Sequence, residues 1–401
     1  MTGPDPADRL VRSWVQHLRS GGSTPWAAWP GAAPASSGDG FTGPLPGAAQ
    51  LEAVRRLAAA HDRLPAASAD RVDFTRLADT VLGGSGPGRG LGELPVTGPD
   101  VAPTRFGPRA VDPADVPEEE LIRVCVGVLA DLLPVTTPPS VAAPGRRRRR
   151  RRPWRRAFRL VGAPDHVESL RASLAARGLV EGGRSPRVLV VGTDVEAMMR
   201  QVWTARVRAG GDTRWQRLWS RAAGRDTLPV RIDLPRVADH WTRRVGAGRV
   251  HLVLGRDHDA VHRAAGEALG LPDLAVHIGH PAVPPWSSAS VDLLRRLNAV
   301  LNIRLDLVRA DALRDGVLPD LLADSGDGQD DPLRAPDRYR EWSRGRAAGI
   351  AKDLATCGYA VHGNLEDLAP CSDDAAPGTP VRSDVLAVAI RACLRAAGAE
   401  E

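Results

Sequence analysis

The stretch FRLVGAPDHVESLRASLAARG, residues 158–178, decides the fold class of this chain. It begins with a short apolar run and continues as a helical segment that a glycine ends at position 178. A second apolar run, RVLVVG, follows at residues 187–192. A strand, a crossover helix and a second strand in this order predict a βαβ unit of a parallel sheet.

The residues that follow continue the alternation of strands and helices. Two helical segments, DVEAMMRQVWTARVRAGG (194–211) and DLPRVADHWTRRVGAG (233–248), precede a third apolar run, RVHLVLG (249–255). Helical patterns then continue to the end of the chain. We therefore predict an α/β domain over residues 157–401, with an open parallel sheet and a helical cap.

The first third of the chain shows only helical patterns. Its first segment has Asp5 as a capping residue and Pro6 at the first helical position, and glycines end several of its helices. We predict a helical N-terminal domain over residues 1–134 and a Pro/Arg-rich linker over residues 135–156. The linker contains seven consecutive arginines, Arg146–Arg152, whose mutual repulsion disfavours a packed fold.

Length and composition are those of a globular protein with room for two domains. No uninterrupted apolar stretch approaches the roughly 20 residues that a membrane span needs. A secretory signal is not expected, because no basic segment near the N-terminus is followed by an apolar run. The four cysteines lack CxxC spacing and predict free thiols instead of disulfides or a zinc site. We expect a cytoplasmic protein that is not an integral membrane protein.

The formal net charge of +6 rests almost entirely on arginine, because Lys352 is the only lysine. Abundant Ala, Gly, Pro and Arg are typical of a GC-rich genome such as that of an actinobacterium, so codon usage accounts for the basic balance. Arg146–Arg152 is the exception, since such a block attracts nucleic acid or an anionic membrane surface by counterion release. We interpret it first as a solvated spacer and keep weak polyanion binding as an alternative.

One phrase occurs twice along the chain. SWVQHLRSGGSTPW, residues 13–26, is matched at a constant offset by VWTARVRAGGDTRW, residues 202–215, including two tryptophans and the double glycine. Two further pairs follow in the same order: residues 48–60 with 289–301, and residues 76–88 with 316–328. A partial internal duplication whose first copy lost its strands accounts for this order. Chance similarity among helices rich in Arg, Ala and Leu is the alternative.

Residues 157–370 resemble the sulfotransferase-like proteins of actinobacteria. Four segments carry the resemblance and occur in the family's order: residues 188–211, 233–254, 291–298 and 342–370. The resemblance implies a P-loop-type parallel sheet with a helical cap. It also implies a cofactor, 3′-phosphoadenosine 5′-phosphosulfate, and an activity, the transfer of its sulfuryl group to an acceptor.

The positions that bind the two phosphates in this family differ in this chain. The resemblance implies a loop after the first strand that is rich in Gly, Ser and Thr, contains a Lys and holds the anion through backbone N–H groups. Here Pro164 removes one donor and Asp165 adds a negative charge. We place Asp165 at the helix N-cap, where it occupies the position of an anion. The arginine expected before Asp194, which would bind the 3′-phosphate, is Thr193.

Five residues remain as candidates for binding the cofactor. They are Gly162, Thr193, Asp194, Arg206 and Arg208. The two arginines are the best anion contacts that survive. We assign no catalytic residue and no metal ligand, and we expect no cofactor unless sulfuryl transfer persists.

The histidines have plainer interpretations than a metal site. His258 and His262 have a spacing that can bind a metal, but no third ligand is near, so we predict solvated helix residues. We predict His277 and His280 in a structural turn and His251 in the core.

Two further features raise the question of a ligand. The glycine-rich segment at residues 83–92 could cradle a phosphate, but it is not framed by a strand and a helix, so we predict a loop. Trp14, Trp26, Trp203 and Trp215 could stack on a ligand. Because they stand beside Leu and Val at helical spacing, we predict them as core anchors.

Three hypotheses for function follow from these residues. The first is a sulfotransferase relative that is non-catalytic or repurposed and binds a protein or small molecule. The second is an active sulfotransferase that uses 3′-phosphoadenosine 5′-phosphosulfate. The third is a protein that binds nucleic acid or a membrane surface through Arg146–Arg152.

Overall fold

The computed structural model describes residues 6–29, 46–84, 111–133, 158–183, 185–271, 274, 286–323, 333–370 and 376–399. The predicted linker, with its arginine run, lies outside the described residues. Within them, helices dominate and four strands form one sheet.

The helices of the described residues follow one another along the whole chain. In chain order they are α1 (Pro6–Arg19), α2 (Ala48–His61), α3 (Ala66–Ala69), α4 (Phe74–Gly83), α5 (Glu118–Leu132), α6 (Pro164–Ala176), α7 (Val195–Arg208), α8 (Trp215–Gly224), α9 (Leu234–Val245), α10 (His258–Leu269), α11 (Ser288–Arg304), α12 (Leu307–Asp315), α13 (Leu318–Leu321), α14 (Arg340–Thr356) and α15 (Arg382–Ala397).

All strands of the described residues are parallel and lie in the order in which they occur along the chain. They are β1 (Phe158–Gly162), β2 (Arg187–Gly192), β3 (Val250–Leu254) and β4 (Ala360–His362). The predicted α/β class, the βαβ unit and the third strand are confirmed. The short fourth strand, which pairs with β3, was not predicted.

The inner strand β2 explains why the sheet forms where the apolar runs predict it. Val188 to Val191 of β2 are fully buried, as expected for a strand of a parallel sheet that is covered on both faces. Helices α6 and α10 cover one face, and α9 packs against β2 and β3. The core of the first face joins Phe158 and Leu189 to Leu170 of α6 and Val261 of α10.

The chain divides into two compact units. The first comprises residues 1–141, 292–323 and 381–401, and the second comprises residues 142–291 and 324–380. The sheet belongs to the second unit. The described residues of the first unit form helices and no extended strand, in agreement with the helical pattern of the N-terminal third.

Helix α15 shows why the predicted domain of residues 157–401 needs correction. Val385 and Ala389 lie on its fully buried face, and it packs against α5 and α2 of the first unit. The thiol of Cys393 donates to the main-chain carbonyl of Cys125 at 3.7 Å. The last helix is therefore part of the core of the helical unit and does not cap the sheet. A helical pattern shows that a segment has an apolar face, but not which helices cover it.

Both copies of the repeated phrase form the same local turn. In the first unit the indole N–H of Trp14 donates to the main-chain oxygen of Thr24 at 3.0 Å. In the second unit Trp203 donates to the main-chain oxygen of Thr213 at 2.9 Å. The first tryptophan of each phrase also contacts the second, with ring centroids 5.0 Å apart in one copy and 5.5 Å in the other.

The double glycines end the preceding helix in the same way in both copies. The first glycine of each pair has a positive φ, 94° at Gly21 and 89° at Gly210, a conformation that other residues rarely adopt. The amide of the second glycine donates to the carbonyl five residues earlier, at 2.8 Å in both copies. This pattern is the hydrogen bond of a Schellman helix end.

A second pair of matched segments carries matched ion pairs. On α2, the buried Glu52 accepts hydrogen bonds from Arg55 at 2.7 Å and Arg56 at 2.8 Å. On α11, Asp292 accepts from the two arginines three and four residues later, at 2.6 and 2.7 Å. The two segments thus share these ion pairs, and the duplication stays a prediction.

Candidate functional site

The candidate site begins where β1 ends and α6 begins. Gly162 has φ 115°, and a Cβ added there would lie 2.0 Å from the main-chain oxygen of Val191. A glycine is therefore required because the end of β1 closely approaches β2. This close approach accounts for Gly162 without any role in cradling a phosphate.

The backbone donors of this turn are bound within the protein. The amide of Ala163 donates to the main-chain oxygen of Val191 at 2.9 Å, and Pro164 has no N–H. The amide of Asp165 donates to Oε1 of Gln201 on α7 at 3.2 Å. A helix N-terminus binds an anion through such N–H groups. At this helix, three successive positions have none to offer.

The prediction that Asp165 is the N-cap of α6 is wrong. Ala163 is the N-cap, Pro164 is the first helical residue and Asp165 is the second. Proline favours the first helical position because its φ is already helical and its missing N–H needs no partner there. That preference shifts the helix start toward the strand and leaves the N-cap without a side-chain hydrogen bond.

Asp165 still contributes negative charge to the turn. Burial raises the pKa of its carboxyl group, and the charge of Glu168 acts in the same direction. The positive charges of Arg208, Arg200 and Arg231 act in the opposite direction and favour the ionised form. Where the resemblance implies a bound phosphate, this chain therefore carries a carboxyl group whose ionised form three arginines favour.

Thr193 and Asp194 lie at the end of β2, beside this turn. Thr193 is fully buried, and its hydroxyl has no hydrogen-bond partner in the part of the chain that the structure describes. Asp194 is the N-cap of α7 and accepts from the amide of Ala197 at 2.8 Å. Burial raises the pKa of its carboxyl group, while that hydrogen bond lowers it. Asp194 therefore supports the start of α7, and neither residue supplies a cation.

The two candidate arginines lie near the other end of α7. Arg206 is exposed and lies roughly 18 Å from Asp194 along the helix axis, given a rise of 1.5 Å per residue. The guanidinium of Arg208 lies 4.9 Å from the centroid of the Trp286 ring, in a cation–π contact. The structure thus brings Gly162, Thr193 and Asp194 to one edge of the sheet and leaves Arg206 away from it.

Gln201 and His166 lie at the site, although nothing in the sequence indicated either residue. Gln201 is buried and joins the first turn to α7, but a glutamine within a helix gives no sign of such a role. Nδ1 of His166 lies 3.2 Å from Nδ1 of His258 on α10. The pKa of His166 is lowered to about 3, chiefly by burial and then by the neighbouring histidines.

The prediction that His258 and His262 are both solvated is wrong for His262. His262 is fully buried, with Nδ1 2.6 Å from the main-chain oxygen of His258 and Nε2 3.1 Å from the hydroxyl of Ser173. Its face of α10 also carries core residues, which bury it. Among the described residues, no group of three or more His, Cys, Asp or Glu side chains is arranged to hold a metal ion.

Other predicted sites are either structural or outside the described residues. His251 is half-buried and stacks on His362 of β4, with ring centroids 5.3 Å apart. His277, His280 and residues 85–92 of the glycine-rich segment lie outside the described residues. The remaining prediction, that four tryptophans are core anchors, is confirmed by their burial: Trp14, Trp26, Trp203 and Trp215.

Comparisons with known proteins add no relative. No family model matches the chain, and no curated protein or solved structure matches it. A search of the described helices for length and hydrophobicity found none that could cross a membrane.

Proposed function

We propose that the sheet-containing unit is a sulfotransferase-like domain that does not transfer a sulfuryl group and instead binds a small molecule or a protein. The order of the resembling segments along residues 157–370 supports the kinship. The proposal that no sulfuryl group is transferred rests on the first βα turn, where Gln201 accepts the hydrogen bond of the Asp165 amide.

Phosphate binding at this turn would be costly. The amides of Ala163 and Asp165 would have to leave their present acceptors, and each such hydrogen bond contributes about 0.5–1.5 kcal/mol. The carboxylate of Asp165 would also repel the anion unless it took up a proton. These opposing contributions argue against the transfer of a sulfuryl group at this turn.

One observation favours sulfuryl transfer as the second candidate. Arg200, Arg208 and Arg231 lie close enough to Asp165 to lower the pKa of its carboxyl group. Their positive field could assist an anion in place of the missing lysine. In that case 3′-phosphoadenosine 5′-phosphosulfate is the cofactor, and the candidate residues at this edge of the sheet, Gly162, Thr193 and Asp194, contact it.

The cysteines bear on where such a protein would work. Cys125 and Cys393 are free thiols although they are in contact, and the hydrogen bond to Cys125, followed by burial, raises the pKa of the Cys393 thiol. We include the reducing environment of the cytoplasm in the proposal on this ground. Weak polyanion binding through Arg146–Arg152 stays an alternative.

A thermal-shift assay tests the proposal. The assay uses a variant in which Ser and Gly replace Arg146–Arg152, so that this run cannot bind phosphate. With 3′-phosphoadenosine 5′-phosphosulfate or its 3′,5′-bisphosphate product, we expect no change in Tm. A ligand at 100 times its Kd adds about 2.7 kcal/mol of stability, which raises Tm by several degrees. A saturable rise with both nucleotides, absent with adenosine 5′-monophosphate, would support sulfuryl transfer instead.

A further inference from the structure

Helix α8 presents a face made of arginines. Arg214 is its N-cap, Arg217 and Arg221 lie one turn apart within it, and Arg225 is its C-cap. All four side chains are exposed, and none forms an ion pair with another of the described residues. We call these four residues the arginine stripe.

The opposite face of α8 holds the stripe in place. Trp215, Leu218 and Trp219 are buried, and the indole N–H of Trp215 donates to the main-chain oxygen of Arg334 at 3.0 Å. Trp219 also packs edge-on against Trp342, with ring centroids 6.0 Å apart. The backbone that carries the arginines is therefore fixed by the core of its own unit.

Few negative charges lie near the stripe along the chain. Between positions 212 and 226 the only carboxylates are those of Asp212 and Asp226, at the two ends. Asp226 accepts a hydrogen bond from the indole N–H of Trp342 at 2.9 Å. Four positive charges consequently share about 16 Å of helix, given a rise of 1.5 Å per residue.

We propose that the arginine stripe binds the phosphate backbone of double-stranded nucleic acid. The proposal is independent of the proposed function, because no residue of the first βα turn takes part. A guanidinium group matches the oxygens of a phosphate with two parallel N–H donors. A duplex presents one negative charge per about 1.7 Å of its axis, so several phosphates face a stripe of this length.

The exposed side chains between the arginines distinguish a duplex from other anionic partners. They include Gln216 and Ser220, which are polar. A membrane-binding helix inserts apolar residues beside its basic ones. Proteins that bind single strands stack bases on aromatic side chains, and both tryptophans of α8 are buried. The stripe instead offers charge and hydrogen bonds alone, as backbone binding requires.

Salt-dependent binding of a 20-base-pair DNA duplex tests the proposal. All proteins carry Ser/Gly in place of Arg146–Arg152, so that this run contributes nothing. The test variant replaces all four arginines of the stripe with Gln. The slope of log K against log salt is about −0.9 per phosphate contacted, so removal of four contacts should reduce the magnitude of the slope by about 3.6 and remove most of the affinity. The double variant Arg217→Gln/Arg221→Gln should lose about half as much.

A matched control separates the stripe from net charge. The control replaces with Gln four exposed arginines that are already paired with carboxylates: Arg123, Arg171, Arg243 and Arg309. This control removes the same total charge, and we expect it to keep most of the slope and affinity. Circular dichroism checks that every variant is folded.

Three results would overturn the proposal. The first is an equal loss of duplex affinity in the control and the stripe variant. The second is no duplex binding by the starting protein at 50 mM salt. The third is binding that depends on the stripe but occurs only to single-stranded DNA or to vesicles of anionic lipid.

Discussion

The amide nitrogen of Asp165 and the side-chain oxygen of Gln201 lie 3.2 Å apart, and their hydrogen bond joins the first βα turn to the middle of α7. Gln201 thereby occupies a donor that a phosphate would need. The bond also fixes α6 against α7, two helices that are in contact. The protein's own side chain therefore closes this turn to an anion.

Replacing Gln201 with Met tests the structural side of this claim. Because the partly buried amide of Asp165 would lose its acceptor while the volume is kept, we expect the free energy of unfolding to fall by about 1–3 kcal/mol. Urea unfolding followed by circular dichroism measures it. Gln216→Met, at an exposed position, is the control and should change stability by less than about 0.5 kcal/mol. Equal effects of the two variants would show that the bond contributes nothing.

The matched tryptophans provide a second prediction. Trp14 and Trp203 are fully buried, so Ala at either position should lower the free energy of unfolding by about 3–5 kcal/mol. Trp241, which is only half-buried, is the control and should cost less when replaced by Ala. The measurement is denaturant unfolding of each variant. A loss below about 1 kcal/mol at Trp203 would contradict its role as a core anchor.

The contact between His166 and His258 predicts a pH dependence. The pKa of His166 is lowered from 6.5 to about 3 in the folded chain, so below pH 6.5 the unfolded chain binds a proton that the folded chain does not. Stability is therefore complete above pH 6.5 and falls toward pH 3, by up to about 1.4 kcal/mol per pH unit. The raised pKa values of Asp165 and Asp194 act in the opposite direction at lower pH.

Comparison with His166→Asn isolates the histidine from these carboxyl groups. Asn keeps a polar atom near the place of Nδ1 but does not titrate, so we expect a flatter loss of stability between pH 6.5 and 4. His240→Asn, at an exposed position on α9, should leave the pH profile unchanged. Parallel profiles for the starting protein and His166→Asn would rule out the predicted linkage.

The sheet could be predicted because its first three strands are apolar runs. β2 is buried on both faces, and such a strand is visible as a continuous hydrophobic segment. β4 could not be predicted in this way, because Ala360 and Val361 are exposed and the strand has only three residues. Its place depends on pairing with β3, which is a tertiary contact that the local pattern does not contain.

The candidate site could be predicted only in part. The loss of donors at Pro164 is evident from the residue itself, since proline has no N–H. The role of Gln201 depends on the packing of α7 against α6, and nothing in its neighbours along the chain indicates it. The burial of His262 could not be predicted for a related reason: it depends on what covers the helix face that His262 shares with Val261 and Ala265.

A nuclear magnetic resonance titration of the Ala163 and Asp165 amides shows most directly whether the first βα turn is closed to phosphate. Both donate hydrogen bonds within the protein, so their resonances should not move when the 3′,5′-bisphosphate of adenosine is added to millimolar concentration. The same amides should exchange slowly with solvent, because both are hydrogen-bonded. Saturable shifts of both resonances, with Ala163 and Asp165 among the largest in the spectrum, would contradict the account and show that the turn binds phosphate.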